Sequence, residues 1–293
     1  MLQSNPVPRV AAVHDISGFG RSSLNIVSPI LSTMGVQVCP LPTALLSTQT
    51  SGFENYYFRD LSEDMRAIIA HWEHLEIEFD AVYSGFLGSV KQIDLVIRMI
   101  EHLTGESSFA LVDPVLGDDG KLYGPFGSDM VEGMRRLIKS ADIITPNYTE
   151  ASLLLDEPYT PHIEVSQIKQ WLYRLADMGP SCVIVTSVPL TGSDNVSSVF
   201  AYNRLDNRLW KVEVAYVPAA YPGTGDMFSS VIVGSLLQHD SLPMAIDRAI
   251  QFVVQAIRAT FGHRMPHREG VLLEKVLDSL RHSVQISTYE LVD

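Results

Sequence analysis

The stretch 80-DAVYSGFLGSVKQIDLVIRMIEHLTGESSFALVDPV-115 sets the fold class. Its two ends, residues 80–86 and 109–115, are short and nearly continuous apolar runs, the pattern of strands covered on both faces. Residues 88–103 between them follow a helical period. Strand, helix and strand in this order form a βαβ unit with parallel strands. The alternation repeats outward. Strand candidates lie at 9–14, 36–41, 142–147 and 182–187, and helical periods at 62–75, 128–139 and 164–178. Crossovers of this kind are right-handed, and ligands bind beyond the carboxyl ends of the strands. Residues 197–202 and 209–217 read as an antiparallel hairpin, joined by the polar loop 203-NRLDNR-208. From 225 onward the pattern is helical through 225–238, 242–260 and 268–282. No linker, repeat or low-complexity segment divides the chain, so residues 1–293 are expected to form one α/β domain.

Composition narrows the function. The chain is 46% apolar and 19% charged, which supplies a large core and argues against disorder. A net charge of −13 and the lack of a Lys/Arg run argue against nucleic acid as a main partner. A phosphate ligand stays open, because amides at a helix N-terminus bind anions locally. Cys39 and Cys182 are far apart with no Cys/His metal spacing, and read as buried thiols in a reducing compartment. The opening MLQSNPVPRV lacks a signal-peptide pattern, and no apolar run nears the ~18 residues that span a bilayer. The sequons at Asn147 and Asn195 read as chance. The expectation is a soluble cytoplasmic protein with no membrane partner.

Polar residues gather where the strand candidates end: Gly117 and Asp118, Asn147 and Glu150, Thr186 and Ser187, and the turn 223–226 after the hairpin. A parallel sheet brings these to one rim. The turn lies in 218-PAAYPGTGDMFSSVIV-233. Pro222 stops the extended segment, and Gly223-Thr224-Gly225 accepts backbone angles that a Cβ resists. The period from Phe228 to Leu236 then starts a helix, whose first-turn N–H groups can hold a phosphoryl group during transfer. Asp226 can take a hydroxyl proton there, and the helix N-terminus is expected to keep it ionised. Taken alone, Asp226 reads equally as an ordinary acid of a helix start. No GxxxxGK[ST] occurs, so the P-loop lysine is absent.

Six ordered motifs carry a resemblance from about residue 9 to about 280. They are 14-HDISGFGRSSLNIVSPILSTMGVQVCPLPTALLST-48, 84-SGFLGS-89, 113-DPVLGDDGKLYGP-125, 145-TPNYTEASLL-154, 185-VTS-187 and 223-GTGD-226. By them the chain resembles the ribokinase-like superfamily and, within it, the pyridoxal/pyridoxine/pyridoxamine kinases of vitamin B6 salvage. The resemblance implies a three-layer α/β/α sandwich with a mostly parallel central sheet and no separate lid domain. It implies ATP-dependent phosphorylation of the 5′-hydroxymethyl group of pyridoxal, pyridoxamine or pyridoxine. Asp226 would be the base, with the amides of Gly223, Thr224 and Gly225 as anion hole. Asp118, Asn147 and Glu150 would manage the ATP phosphates and magnesium, the two acids as metal ligands, while Thr186 and Ser187 contact phosphate oxygens.

The resemblance places the vitamin pocket in the N-terminal third. Asp15 and Ser17 would hydrogen-bond the ring, Thr43 would lie at the end of the second strand, and Phe86 would wall the ring. A core aromatic is an equal reading of Phe86. Tyr123 would cover the nucleotide or the substrate. The family also implies a potassium ion and a homodimer. The chain departs from it at His14-Asp15, where many relatives have Ser-His, and at Gln49, where relatives often have His. Asp15 is similar to the hydroxymethylpyrimidine kinases of thiamine synthesis, which are the alternative reading. A non-catalytic vitamer-binding sensor is the other alternative.

Overall fold

The computed structural model describes residues 6–124, 126–192, 196–215, 217, 219–281 and 289–292. The Asn195 sequon, the first five residues, and residues 216 and 282 within two expected elements lie outside them. In chain order the elements are β1 (Arg9–Ser17), α1 (Leu24–Thr33), β2 (Gln37–Leu46), β3 (Phe58–Asp60), α2 (Ser62–His74), β4 (Phe79–Ser84), α3 (Val90–His102) and β5 (Thr104–Val112). There follow β6 (Gly117–Asp118), β7 (Lys121–Leu122), α4 (Ser128–Leu137), β8 (Ile143–Ile144), α5 (Tyr148–Leu155), α6 (Val165–Asp177) and β9 (Cys182–Val188). The chain continues with β10 (Val196–Asn203), β11 (Arg208–Ala215), α7 (Thr224–Leu237), α8 (Leu242–Phe261) and β12 (Tyr289–Leu291).

Ten strands form one sheet in the order β12-β11-β10-β9-β8-β5-β4-β1-β2-β3. The run from β2 to β9 is parallel throughout, and the antiparallel pairs lie outside it on both sides. The side-chain alternation of the strands decides the layers. Ala11 and Val13 of β1 join the core under α2 to α6, with Phe79 and Val82 of β4. Val10 and Ala12, with Ala81 and Tyr83, join the opposite core under α1, α7 and α8. Both faces of the sheet are therefore covered, as the continuous apolar runs require. The result is the ribokinase-like three-layer sandwich.

Three differences from the sequence reading have physical causes. Strand 142–147 shrinks to Ile143–Ile144, because Pro146 has no N–H to give the ladder. Its carbonyl still accepts the Thr186 N–H at 3.0 Å, and Asn147 bridges Thr186 beyond it. The expected helix 268–282 is instead a series of 3-10 turns, His267–Glu269, Leu273–Lys275 and Leu277–Arg281. Gly270 breaks it with φ +79°, a left-handed angle, pressed against Arg21 and Pro222. The pair β6–β7 is a hairpin beyond the expected elements, turning on Asp119 (φ +49°) and Gly120 (φ +73°). Asp-Gly is the residue pair a tight hairpin of this kind favours.

Candidate active site

The parallel register sets the ends of β1, β4, β5, β8 and β9 on one rim. There the chain leaves the sheet with Asp15 and Ser17, with Gly85 and Phe86, with Asp113, with Asn147, and with Thr186 and Ser187 in turn. The N-terminus of α7 reaches the same rim. Tyr83 at the end of β4 donates its hydroxyl to the Asp226 main-chain carbonyl at 3.3 Å. Gly225 lies against Asp113, since a Cβ there would sit 3.7 Å from Asp113 Oδ2.

Gly223 caps α7 with φ +83° and ψ 0°, the left-handed region. A Cβ on it would meet Ile26 Cδ1 at 2.4 Å and the Arg21 carbonyl at 2.5 Å. Only glycine lets the loop before α1 pack this closely. That contact brings the Ser23 N–H to Asp226 Oδ2 at 2.8 Å. Ser23 also donates its hydroxyl to Asp15 Oδ1, and Ser17 donates to Asp15 Oδ2 at 3.0 Å. Asp15 and Ser17, expected against a ligand ring, thus spend these bonds within the protein and are almost fully buried.

Asp226 keeps 14% of its side chain exposed, and Oδ1 is the oxygen that Ser23 leaves open. Burial pushes its carboxyl up to about 7; the Ser23 N–H opposes this and the charge of Asp15 adds to it. The expectation that the helix end holds Asp226 simply ionised is therefore corrected. Desolvation outweighs the helix end and leaves a base poised near neutrality.

Glu150 is buried and makes the capping box of α5. It accepts the Asn147 N–H at 2.8 Å and the Leu116 N–H at 3.1 Å, and its own N–H goes to Asn147 Oδ1 at 2.8 Å. The Asn147 amide in turn donates to the Gly117 carbonyl at 2.9 Å. Asn147 and Glu150 thereby fix the loop that carries Asp113, Gly117 and Asp118. Burial raises the Glu150 carboxyl to about 8 against the pull of the Asn147 and Leu116 N–H groups, and Asp118 adds to the rise. Asp113 opens the motif 113–125, and its own segment does not reveal what it meets. Burial, then Glu150 and Asp226, hold its carboxyl well above the usual carboxylate range. Its hydrogen bond from Ser229 is long, at 3.5 Å. Asp118 is exposed on the β6–β7 hairpin, raised by partial burial. Tyr123 follows that hairpin, and its phenol is raised by burial and then by Glu150, Asp118, Asp113 and Asp226. Tyr123 thus faces the acidic cluster.

Phe86 is half-buried and stacks on Phe126 with centroids 5.6 Å apart and planes at 28°. Thr43 is fully buried and donates its hydroxyl to the Phe86 carbonyl at 2.9 Å, so it holds Phe86 rather than presenting itself at the rim. Thr186 is half-buried and Ser187 exposed, the latter with φ +56°, an uncommon angle for a residue with a Cβ. A hollow of about 760 Å³ between β11 and α8, lined by Glu213, Val214, Val254 and Arg258 among others, includes none of these groups.

The raised carboxyls imply a pH dependence of stability. The unfolded chain loses the Glu150 proton near the ordinary value of 4.5, and the folded chain keeps it to about 8. The folded state binds more protons across that window, so stability falls as pH rises through it. In chelator, Tm is expected to fall between pH 5 and pH 8. Scanning calorimetry reads the difference.

The phosphomethylpyrimidine kinase family matches residues 30–270 of the chain. A Bacteroides thetaiotaomicron protein provisionally named a phosphomethylpyrimidine kinase, crystallised with pyridoxal, is 54% identical. It covers 98% of this chain and 100% of its own with a TM-score of 0.94. The pyridoxal kinase of Lactobacillus plantarum is 31% identical with a TM-score of 0.86, covering 94% of this chain and 97% of its own. The pyridoxal kinase of Arabidopsis thaliana is 26% identical over 235 residues, 78% of this chain and 73% of that protein.

Proposed function

We propose, since the chain belongs to the phosphomethylpyrimidine kinase family and is a pyridoxal kinase-type protein, that it transfers the terminal phosphoryl group of ATP to the 5′-hydroxymethyl group of a B6 vitamer. One observation carries the reading. Asp226 stands in the first turn of α7 with Oδ2 held by Ser23 and Oδ1 open, beside a turn whose glycine accepts no side chain. Pyridoxal in the Bacteroides relative supports the vitamer as substrate.

The geometry supports the following steps. The vitamer ring lies against Phe86, and Thr43 keeps that wall in place through the Phe86 carbonyl. The substrate hydroxyl oxygen forms its bond to phosphorus while its proton passes to Asp226 Oδ1. The bond from phosphorus to ADP breaks, and the N–H groups of Gly223, Thr224 and Gly225 take up the developing negative charge. Thr186 and Ser187 contact the phosphate chain, and Tyr123 covers it.

Among the described residues no three acids or histidines stand close enough to cage a metal ion, so a hard cation here would rest on few carboxylates, Asp118 and Glu150 with Asp113, completed by water and the ATP phosphates. A positive charge beside the buried Asp113 and Glu150 would favour their ionised forms. These residues would hold magnesium, in part through water, and bound there it neutralises charge on the phosphate oxygens. Potassium as a second cation, a homodimer and a single kinase domain over residues 1–293 complete the proposal. The compartment proposed is the cytoplasm.

The test is steady-state turnover with ATP and each of pyridoxal, pyridoxamine, pyridoxine and hydroxymethylpyrimidine. A vitamer is expected to exceed hydroxymethylpyrimidine by at least about tenfold in kcat/KM. The reverse order would establish the second reading, which Asp15 leaves open and the family match supports. Binding without turnover of any of the four would leave a sensor. Because the Asp226 carboxyl titrates near 7, kcat/KM is also expected to fall about tenfold per pH unit below that value. A flat profile from pH 5 to 8 would contradict Asp226 as the base.

A further inference from the structure

His14 ends the straight run of β1 and is fully buried, and neither ring nitrogen makes a well-formed hydrogen bond among the described residues, although the Tyr83 backbone lies near the ring. Buried polar groups are nearly always paired, so this one calls for a reason. Its Nδ1 lies 3.8 Å from Asp226 Oδ1, the oxygen Ser23 leaves open. The ring meets Tyr83 edge-on with centroids 4.4 Å apart. Gly85 makes the room, because a Cβ there would sit 2.3 Å from Nδ1. Burial pushes the imidazole down to about 3, against the Tyr83 backbone, so the ring is neutral.

A neutral imidazole carries its proton on one nitrogen only. With hydrogen on Nδ1 it would donate to the carboxylate and close to about 2.7–2.9 Å. A separation of 3.8 Å is too long for that bond. We propose that His14 is the positioning residue for Asp226, an acceptor that waits at Nδ1 for the proton Asp226 takes from the substrate. Oδ2 already faces the Ser23 N–H and cannot carry that proton without setting two donors against each other. The proton goes to Oδ1, and Oδ1–H then donates to Nδ1. The imidazole stays neutral, so no charge is created in the core. The bond exists only in the protonated form of Asp226, the form that the reaction produces, so it stabilises the later part of the reaction. The groups facing Asp226 are Asp15 from β1, Tyr83 from β4 and Asp113 from β5, besides His14 and the Ser23 N–H.

This inference rests on Asp226 as the base, and its closing test separates the two. The ¹⁵N spectrum of the resting protein's histidines needs no substrate. It is expected to show His14 neutral with its proton on Nε2; a ring protonated on Nδ1 overturns the inference whatever the enzyme phosphorylates. Kinetics add a second reading. His14→Leu removes the acceptor at similar volume and should lower kcat about tenfold, leaving KM for ATP within about twofold. It should also move the acidic limb of kcat/KM to lower pH, since the facing lone pair no longer disfavours ionised Asp226. A shift to higher pH would mean that His14 donates to the carboxylate, and would overturn the inference. Should the leucine variant not fold, His14→Asn places an amide oxygen near the Nδ1 position and is expected to keep kcat within about threefold. A tenfold loss in a folded asparagine variant overturns the inference as well.

Discussion

Asp226→Asn is expected to lower kcat by about 10²–10⁴-fold while ATP binding is retained. The substitution is nearly isosteric, and an amide oxygen placed at Oδ2 still accepts the Ser23 N–H. The amide cannot take a proton from the attacking hydroxyl, so what disappears is the acceptor as the phosphorus–oxygen bond forms. Stability should hold or rise, because burial already raises the Asp226 carboxyl to about 7 and a neutral group there escapes that cost. Single-turnover phosphorylation and nucleotide titration on the same preparation check both halves. Turnover within a few-fold of wild type would remove Asp226 as the base.

Gly223→Ala is expected to lose activity through the fold, and Gly225→Ala to lose it without. At 223 the left-handed angle costs about 1 kcal/mol for any side chain, and the new methyl meets the Arg21 carbonyl and Ile26 Cδ1. Neither neighbour moves cheaply, since the loop before α1 also carries the Ser23 N–H to Asp226. A destabilisation of about 2–4 kcal/mol follows, with loss of kcat. At 225 the nearest atom to a new methyl is Asp113 Oδ2 at 3.7 Å, an ordinary contact. That variant should fold with stability within about 1 kcal/mol of wild type. Its kcat/KM should still fall more than tenfold, because the methyl occupies the approach of the phosphoryl group. Chemical denaturation and kinetics on the pair separate the two roles. A fully active Gly225→Ala protein would deny the turn its part as an anion hole.

Much of this site was legible in the chain. The Gly-Thr-Gly-Asp turn, Asn147 with Glu150, and the strand-end pair Thr186-Ser187 depend on local chemistry, a turn or a cap within a few residues. Asp119-Gly120 is itself a local hairpin signal. The true omissions are His14 and Asp113. Their importance comes from neighbours more than 100 residues away, Asp226 for His14 and both Ser229 and Asp226 for Asp113. Periodicity also failed over 268–282, where Gly270 packs against Arg21 and Pro222 from distant segments.

The sequence by itself determined the layered α/β class, the parallel strands and the rim at which the polar residues meet, because side-chain period and strand-end chemistry are written within single segments. Tertiary structure alone decided how each acid behaves. Ionisation depends on which chains exclude water and which donors arrive from elsewhere. The same carboxyl group is a capping acid at Glu150, a serine-bound partner at Asp15 and a base with one open oxygen at Asp226. Spacing along the chain cannot tell those three apart.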